Sequence, residues 1–360
     1  MVKIRFFITS LGGGGAEKVL INLLKQLKPS EYQVSLVTLF GGAHANEVPD
    51  YVNQRTVFKK NNSLCKLLMK LPPKLFALLF LRGDYDFEVA YLEGWPTRVV
   101  AALHTDAQKF AFVHCDISVH NLFYKLYRSN EECLKEYKQY NTVCFVSDGC
   151  KQGFEITVGK LDNACIVHNV QDYKTIDKLS QEPCEGFETK GMKVLSVGRL
   201  APEKGYDRLL KIASHLEKNY SFELIIIGEG PERRKLERII SEYQITSVTL
   251  LGYRDNPYPY YKNADLYICS SCYEGYSTTC LESIYLNLPV LTTRCAGMEE
   301  ILDNGKFGLI VDNTNGSLEK GFKHLLENPE KLGLYRENIA ARKINQVEIE
   351  KYKALFAPLR

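Results

Sequence analysis

The stretch CSSCYEGYSTTCLESIYLNLPV, Cys269 to Val290, holds two carboxylates, Glu274 and Glu282, with seven residues between them. Ser277, Thr278 and Thr279 supply hydroxyls in the interval. An apolar run ends near Ser270. Leu281, Ile284, Tyr285 and Leu288 then recur at helical spacing until Pro289. Glu274 should therefore precede a helix, and Glu282 should lie about one turn inside it. A helix N-terminus offers free N–H groups and partial positive charge, which suits a phosphate. The carboxylates could accept hydrogen bonds from sugar hydroxyls on either side of that phosphate.

Three other stretches pair glycine with charge. In VGRLAPEKGYDRLL, Val197 to Leu210, Gly198 ends a strand, Arg199 follows at once and Lys204 comes five residues later. An arginine fork and a lysine point charge on one short connection could grip a diphosphate. They could equally be solvated and paired with Glu203 and Asp207. In ITSLGGGGAEKVL, Ile8 to Leu20, four glycines join an apolar run to a helical pattern. A linker, a tight turn and a phosphate-binding loop all use such a backbone. In IIIGEGPERRKLERII, Gly228-Glu-Gly230 opens a GxGxxG pattern that fails at Arg233, so no dinucleotide fingerprint is present. Pro231 and Glu232 suit a helix start, and Leu236, Ile239, Ile240 and Tyr243 form its expected apolar face.

These stretches need strands that end beside helix starts. KIRFFITS, YQVSLVTLF, FEVAYL, KFAFVH, TVCFVSD and ACIVHN read as buried strands of a first half. KVLSVGR, FELIIIGEG, VTLLGY, DLYICSS, LPVLTT and FGLIVD repeat the arrangement. Glu17–Leu27, Asp207–Lys218 and Glu232–Tyr243 show helical spacing between strands. Alternating strand and helix predicts two α/β domains with parallel sheets and helices on both faces. The polar stretch Asp172 to Lys190 marks the boundary, giving domains at 1–172 and 190–341. Two such halves should face a central cleft lined by the carboxyl ends of their strands.

The chain of 360 residues is 45% hydrophobic and 25% charged, which suits two globular domains. A net charge of +3 gives no reason to expect a nucleic-acid partner. Met1 leads directly into a β pattern, and the 11 cysteines are odd in number. They read as reduced residues of a cytoplasmic protein. Cys269-Ser-Ser-Cys272 lacks the second ligand pair of a zinc site and reads as two small core residues. No apolar run reaches membrane-spanning length. Lys59 to Arg82 carries six basic residues, no acidic one, and interleaved Leu and Phe. It could lie on an anionic membrane surface. It could also be a solvated helix, interrupted at Pro72-Pro73.

Together these motifs resemble the retaining glycosyltransferases of family GT4, which have the GT-B fold: two Rossmann-like, doubly wound parallel-sheet domains. GRLAPEKGYDRLL is similar to the family's GRL-x-x-x-KG-x-D-x-LL signature, GEGPERRKLE to its G-x-GP element and YEGYSTTCLES to its E-x7-E block. The resemblance covers nearly the whole chain and is strongest from Lys193 to Ile301, where the three motifs stand in the family's order and spacing. Ser277 and Ser283 depart from the usual proline and alanine, and the later G-x-x-E-I element appears as AGMEEI with Gly297 and Glu300 retained.

The resemblance implies roles. Arg199 and Lys204 would neutralise the diphosphate of a nucleoside diphosphate sugar, with Gly198 and Gly228 beside them. Glu282 would hold the ribose, and Glu274 the reacting side of the donor sugar. Backbone N–H groups across Gly275, Tyr276, Ser277 and Thr278 would bind sugar or phosphate. Tyr253 and Arg254 would face the base. Gly14 and Gly15 of GGAEK would lie near the donor phosphates, with Glu17 and Lys18 toward the acceptor. His114, in FVHCD, would lie near the transferred sugar. The C-terminal helix, about 342–360, would cross back to the first domain.

The implied reaction is transfer of a sugar, commonly from a UDP-sugar, to a hydroxyl of a glycan or lipid-linked glycan, with retention. No cofactor or metal is expected: Asp84-Tyr-Asp86 has the DxD form but lies at the wrong strand end. Work at the inner leaflet of the cytoplasmic membrane follows from the basic segment. A GT-B sugar-nucleotide 2-epimerase and a non-catalytic sugar-nucleotide or glycan-binding protein are the alternatives.

Overall fold

A computed structural model describes all residues except 13, 60–61, 120–125, 185, 189–190, 343–346 and 358–360. Gly13, Lys60, Lys190 and, of the expected last helix, residues 343–346 and 358–360 thus lie outside the described residues. The chain divides into two compact units, Met1–Gln171 with Asn345–Arg360, and Asp172–Ile344.

The first unit holds a parallel sheet of seven strands. They are β1 Val2–Ile8, β2 Tyr32–Phe40, β3 Asn53–Phe58, β4 Phe87–Ala90, β5 Gln108–Val113, β6 Thr142–Phe145 and β7 Ala164–Ile166. Their spatial order is β3-β2-β1-β4-β5-β6-β7. The second unit holds a parallel sheet of six. These are β8 Met192–Val197, β9 Phe222–Ile227, β10 Val248–Gly252, β11 Leu266–Cys269, β12 Val290–Thr293 and β13 Gly308–Val311, ordered β10-β9-β8-β11-β12-β13. Both orders reverse direction once, between β1 and β4 and between β8 and β11. Helices leave the sheet in opposite directions there, so the strand ends open a crevice where ligands bind in doubly wound folds.

The strands form where apolar residues run together. Ile4, Phe6 and Ile8 of β1 and Leu224, Ile226 and Ile227 of β9 are buried. β3, NQRTVF, carries no such run and was not expected. It pairs only with β2, at the sheet edge, and its side chains are mostly half-buried or exposed.

Two boundaries differ from the sequence reading. The second unit opens at Asp172, at the start of the polar stretch rather than after it, and Tyr173–Leu179 within that stretch is a helix. Tyr173 stacks on Tyr285 at 4.3 Å, and the Tyr285 hydroxyl donates to Asp177 at 2.5 Å. The helix after Gly230 runs Arg233–Tyr243, so Pro231 sits in the preceding turn and Glu232 at the N-cap. Leu236 and Ile239 are buried on it, but Tyr243, in the last turn, is exposed.

A C-terminal helix, Val347–Leu355, belongs to the first unit. Ile349 and Tyr352 on it, and Phe356 just beyond, enter that unit's core. Phe356 meets Phe6, Phe87 and Phe110 at 5.7–5.9 Å between ring centroids. Tyr352 stacks on Phe112 at 5.8 Å. His168 donates its backbone N–H to Glu348 at 3.2 Å.

Of the CxxC pair, Cys269 is buried and Cys272 only half so. No helix among the described residues is long and apolar enough to cross a membrane. Asp86, of the DxD-like triplet, accepts the Lys3 N–H at 2.8 Å, at the amino end of β1.

Candidate active site

In the second unit the carboxyl ends of β8 and β11 each deliver one charge to the strand-order reversal. Lys204 stands on the connection after β8, in the short turn Pro202–Lys204. Glu274 stands on the connection after β11. The Lys204 ammonium donates to Glu274 Oε1 at 2.7 Å, and the Ser271 hydroxyl donates to the same atom at 2.6 Å. Burial works against the charge on Lys204, but the carboxylate beside it prevails, and its pKa is raised. Lys204 Nζ has no other described partner, so two of its three donors are open to an anion.

The turn that carries Glu274 is pinned from several sides. Arg208, on the helix Tyr206–Leu216, donates to the Ser270 carbonyl from Nε at 2.9 Å and from Nη2 at 2.6 Å. Its Nη2 also reaches the Ser271 carbonyl at 2.7 Å, and its Nη1 the Asn313 side chain at 2.8 Å. Thr293 donates to the Ser271 carbonyl at 2.6 Å. Ser270 donates back to the Lys204 carbonyl at 2.8 Å, and the Cys272 N–H to the Glu203 carbonyl at 2.7 Å. Gly205, at φ 62°, lies so close to the Ser270 carbonyl that a Cβ would overlap it. The two connections are thus one rigid assembly.

The helix Thr278–Tyr285 starts three residues after Gly275, with Ser277 as its N-cap accepting the Cys280 N–H at 3.4 Å. Its free N–H end adds positive potential beside Lys204 and Glu274. Tyr276 is buried, and Gly297 packs against the carbonyl of Gly275.

Of the other expected residues, Gly198 adjoins the Lys204 side chain, where a Cβ would lie 3.6 Å from Lys204 Cε. Arg199 bonds Glu203 at 2.5 Å and leaves 60% of its side chain exposed. Here the solvated-loop alternative describes Arg199, but not Lys204, and Asp207 pairs with Lys235 instead. Glu282 is only 8% exposed and accepts the Tyr258 hydroxyl at 3.4 Å and the Tyr261 hydroxyl at 3.2 Å. Gly198 and Gly228 meet each other: Gly228, at φ 149°, would drive a Cβ into the Gly198 carbonyl. Tyr253 and Arg254 follow β10 and are exposed.

In the first unit the glycine loop joins β1 to the helix Gly15–Gln26, with Gly14 as its N-cap. Glu17 lies in the first turn, where a carboxylate suits the helix dipole. Lys18 pairs with Glu47 at 2.8 Å, and His44 bonds the other oxygen of Glu47. His114 follows β5. Its backbone N–H donates to Glu93 at 3.0 Å, and its ring lies 4.9 Å from Tyr91. Burial lowers its pKa and favours the neutral imidazole. Its Nε2 is buried, with no hydrogen-bond partner among the described residues.

Sequence reasoning missed Arg208, Ser271, Glu93, Glu47 and the two tyrosines on Glu282. Arg208 had a signal, since it follows Lys204 by four residues within the quoted motif. The others had none, because each meets its partner only through the fold.

Three comparisons bear on this site. Residues 177–342 match the family model described as glycosyl transferases group 1. Over 95% of each chain, the protein is 27% identical to N-acetylgalactosamine-N,N'-diacetylbacillosaminyl-diphospho-undecaprenol 4-alpha-N-acetylgalactosaminyltransferase of Campylobacter jejuni. Among solved structures it resembles HepE of Anabaena in complex with UDP and glucose, at a TM-score of 0.78 and 19% identity over 99% of both chains. It also resembles WaaG, a glycosyltransferase involved in lipopolysaccharide biosynthesis, at 0.72 and 15% identity over 99% of this chain. The fold is GT-B.

Proposed function

Because residues 177–342 match the model of the glycosyl transferases group 1, we propose that this chain is a retaining glycosyltransferase of family GT4. It takes a sugar from a nucleoside diphosphate sugar, UDP being the nucleotide bound in the HepE structure. Its acceptor is a hydroxyl of a glycan carried on a lipid diphosphate, the class named for the Campylobacter relative. This work belongs at the cytoplasmic face of a membrane.

The observation that carries the reading is the Lys204–Glu274 pair at the carboxyl ends of β8 and β11, next to the start of the helix Thr278–Tyr285. When the bond from the anomeric carbon to the β-phosphate breaks, negative charge collects on the phosphate oxygens. Lys204 and the helix N-terminus stabilise it, and Arg199 swings from Glu203 to join them. No residue titration is needed for that step, because the ammonium is held charged by its partner.

Glu274 orients the donor sugar through its hydroxyls. As the phosphate draws on Lys204, the carboxylate is released to accept them. A glycosidase of the retaining kind needs two facing carboxyl groups about 5 Å apart. Glu274 and Glu282 belong to one loop and helix, and Glu282 is sealed by Tyr258 and Tyr261. Attack on the donor face from which the diphosphate leaves is therefore favoured over a covalent intermediate. In the first unit, by resemblance, Gly14 and Gly15 go to the donor phosphates, Glu17 and Lys18 to the acceptor, and His114 to the transferred sugar. A neutral His114 with an open Nε2 suits a sugar hydroxyl.

The test is turnover of UDP-sugars by variants Arg199→Ala, Lys204→Ala and Glu274→Ala. Each should lose at least about 100-fold in kcat/KM. Wild-type rates in all three would overturn the assignment, as would a product of inverted anomeric configuration. An epimerised sugar nucleotide formed from donor alone would favour the epimerase.

A further inference from the structure

A surface in the first unit is apolar and basic, and it holds none of the residues assigned to the site above. Within the segment Lys59–Arg82, the described residues form two short helices, Ser63–Leu68 and Pro73–Phe80, with Pro73 opening the second. Their undersides are anchored. Cys65, Phe76 and Ala77 are buried, and Phe76 packs on Phe80 at 4.6 Å and on Trp95 at 5.8 Å. The outer sides are not polar, as a solvated helix would be. Leu67 and Leu78 are each 64% exposed, and Leu75 and Leu79 are exposed as well.

The helical register sorts the two characters. At about 100° per residue, Lys74, Leu75, Leu78, Leu79 and Arg82 fall on one arc of the second helix and its end. Phe76, Ala77, Phe80 and Leu81 fall on the other. Lys66, on the preceding helix, and Lys70, in the turn after it, are exposed on either side of Leu67. No acidic residue occurs from Lys59 to Arg82. Clustered exposed leucines on a folded surface mark a docking site, and the charges say what docks.

We infer that this face seats on the surface of an anionic lipid bilayer. Leu67, Leu75, Leu78 and Leu79 enter the boundary of the acyl chains, and Lys66, Lys70 and Lys74 meet the lipid phosphates. A second copy of the chain fits poorly, because a twofold contact through this patch would set its lysines against themselves with no carboxylate between. The two helices lie flat, too short to cross, and act as an anchor for the first unit. The inference stands apart from the sugar-transfer chemistry, since no residue of either site takes part.

The experiment is flotation of the full-length protein, without sugar nucleotide, on vesicles of phosphatidylcholine alone or mixed equally with phosphatidylglycerol. The protein should float with the mixed vesicles at low salt and be released as salt rises. Each lysine at an anionic surface is worth about five-fold in binding. The triple variant Lys66→Gln, Lys70→Gln, Lys74→Gln should therefore bind on the order of 100-fold more weakly. Leu75→Ser with Leu78→Ser should bind weakly even at low salt. Unchanged circular dichroism and melting temperature establish that both variants are folded. Equal binding to both vesicle types, no binding to either, or full binding by both variants overturns the proposal. So does a dimer in sedimentation velocity that the leucine variant abolishes.

Discussion

Lys204→Met separates a structural pair from a working one. Methionine keeps the apolar stem and removes the ammonium, which leaves the Glu274 carboxylate with the Ser271 hydroxyl. Removing one partner of a buried ion pair costs about 3–5 kcal/mol. The two side chains retain 23% and 12% exposure, so water recovers part of that, and a loss of about 2 kcal/mol is expected. For a unit of this size the melting midpoint should fall by about 4–8 °C. If Lys204 also faces the departing diphosphate, kcat should drop by about 10²–10³. Adding Glu274→Gln removes the stranded charge. The double variant should recover about 1–2 kcal/mol of stability and none of the rate. Calorimetry gives the first quantity, and UDP release in the presence of acceptor gives the second. Recovery of both in the double variant, or a wild-type kcat in Lys204→Met despite the lost stability, would show that the pair only holds the two connections together.

Arg208→Lys should cost about 2 kcal/mol, because a point charge cannot hold the Ser270 and Ser271 carbonyls and Asn313 at once; urea midpoints measure it, and kcat should fall with donor KM little changed. Gly228→Ala should destabilise by about 2 kcal/mol or more, through its φ of 149° and the Gly198 carbonyl, whereas Gly316→Ala, in open space within the helix Asn315–Glu327, should stabilise slightly. Glu348 is held at about 2, since hydrogen bonds from His168 and Lys351 outweigh its burial. A depressed carboxylate stabilises fully above its unfolded value near 4.5 and loses that contribution as pH falls toward 2. After allowance for screening this is about 1–2 kcal/mol, so the protection factor of amides in Val347–Leu355, taken against intrinsic exchange at each pH, should fall from pH 5 to pH 2.5, and Glu348→Gln should remove the difference.

Short-range pattern carried much of this protein. Runs such as FELIII and YQVSLVTLF are apolar on both faces, as central parallel strands must be, and helical spacing separates them. That alternation alone decided the α/β class and put Lys204 and Glu274 on connections after strands. It failed at NQRTVF, because an edge strand is covered on one side only and needs no apolar run. It also failed between Asp172 and Lys190, where a mostly polar helix is held by stacking on Tyr285, a residue more than one hundred positions away. The last helix was placed by resemblance, since its own pattern does not say which core Tyr352 and Phe356 enter.

Charge partners were decided only by the tertiary structure. Within one motif, Arg199 and Lys204 look equivalent. The fold turns Arg199 outward to Glu203 and carries Lys204 to a carboxylate 70 residues away. The same holds for Glu282, closed off by two tyrosines, and for Arg208, whose carbonyl partners come from another strand end. Sequence shows which residues carry charge and which strand ends they follow. A charge's partner is set by the few ångströms around it, and those are filled by whichever strands the sheet order makes neighbours.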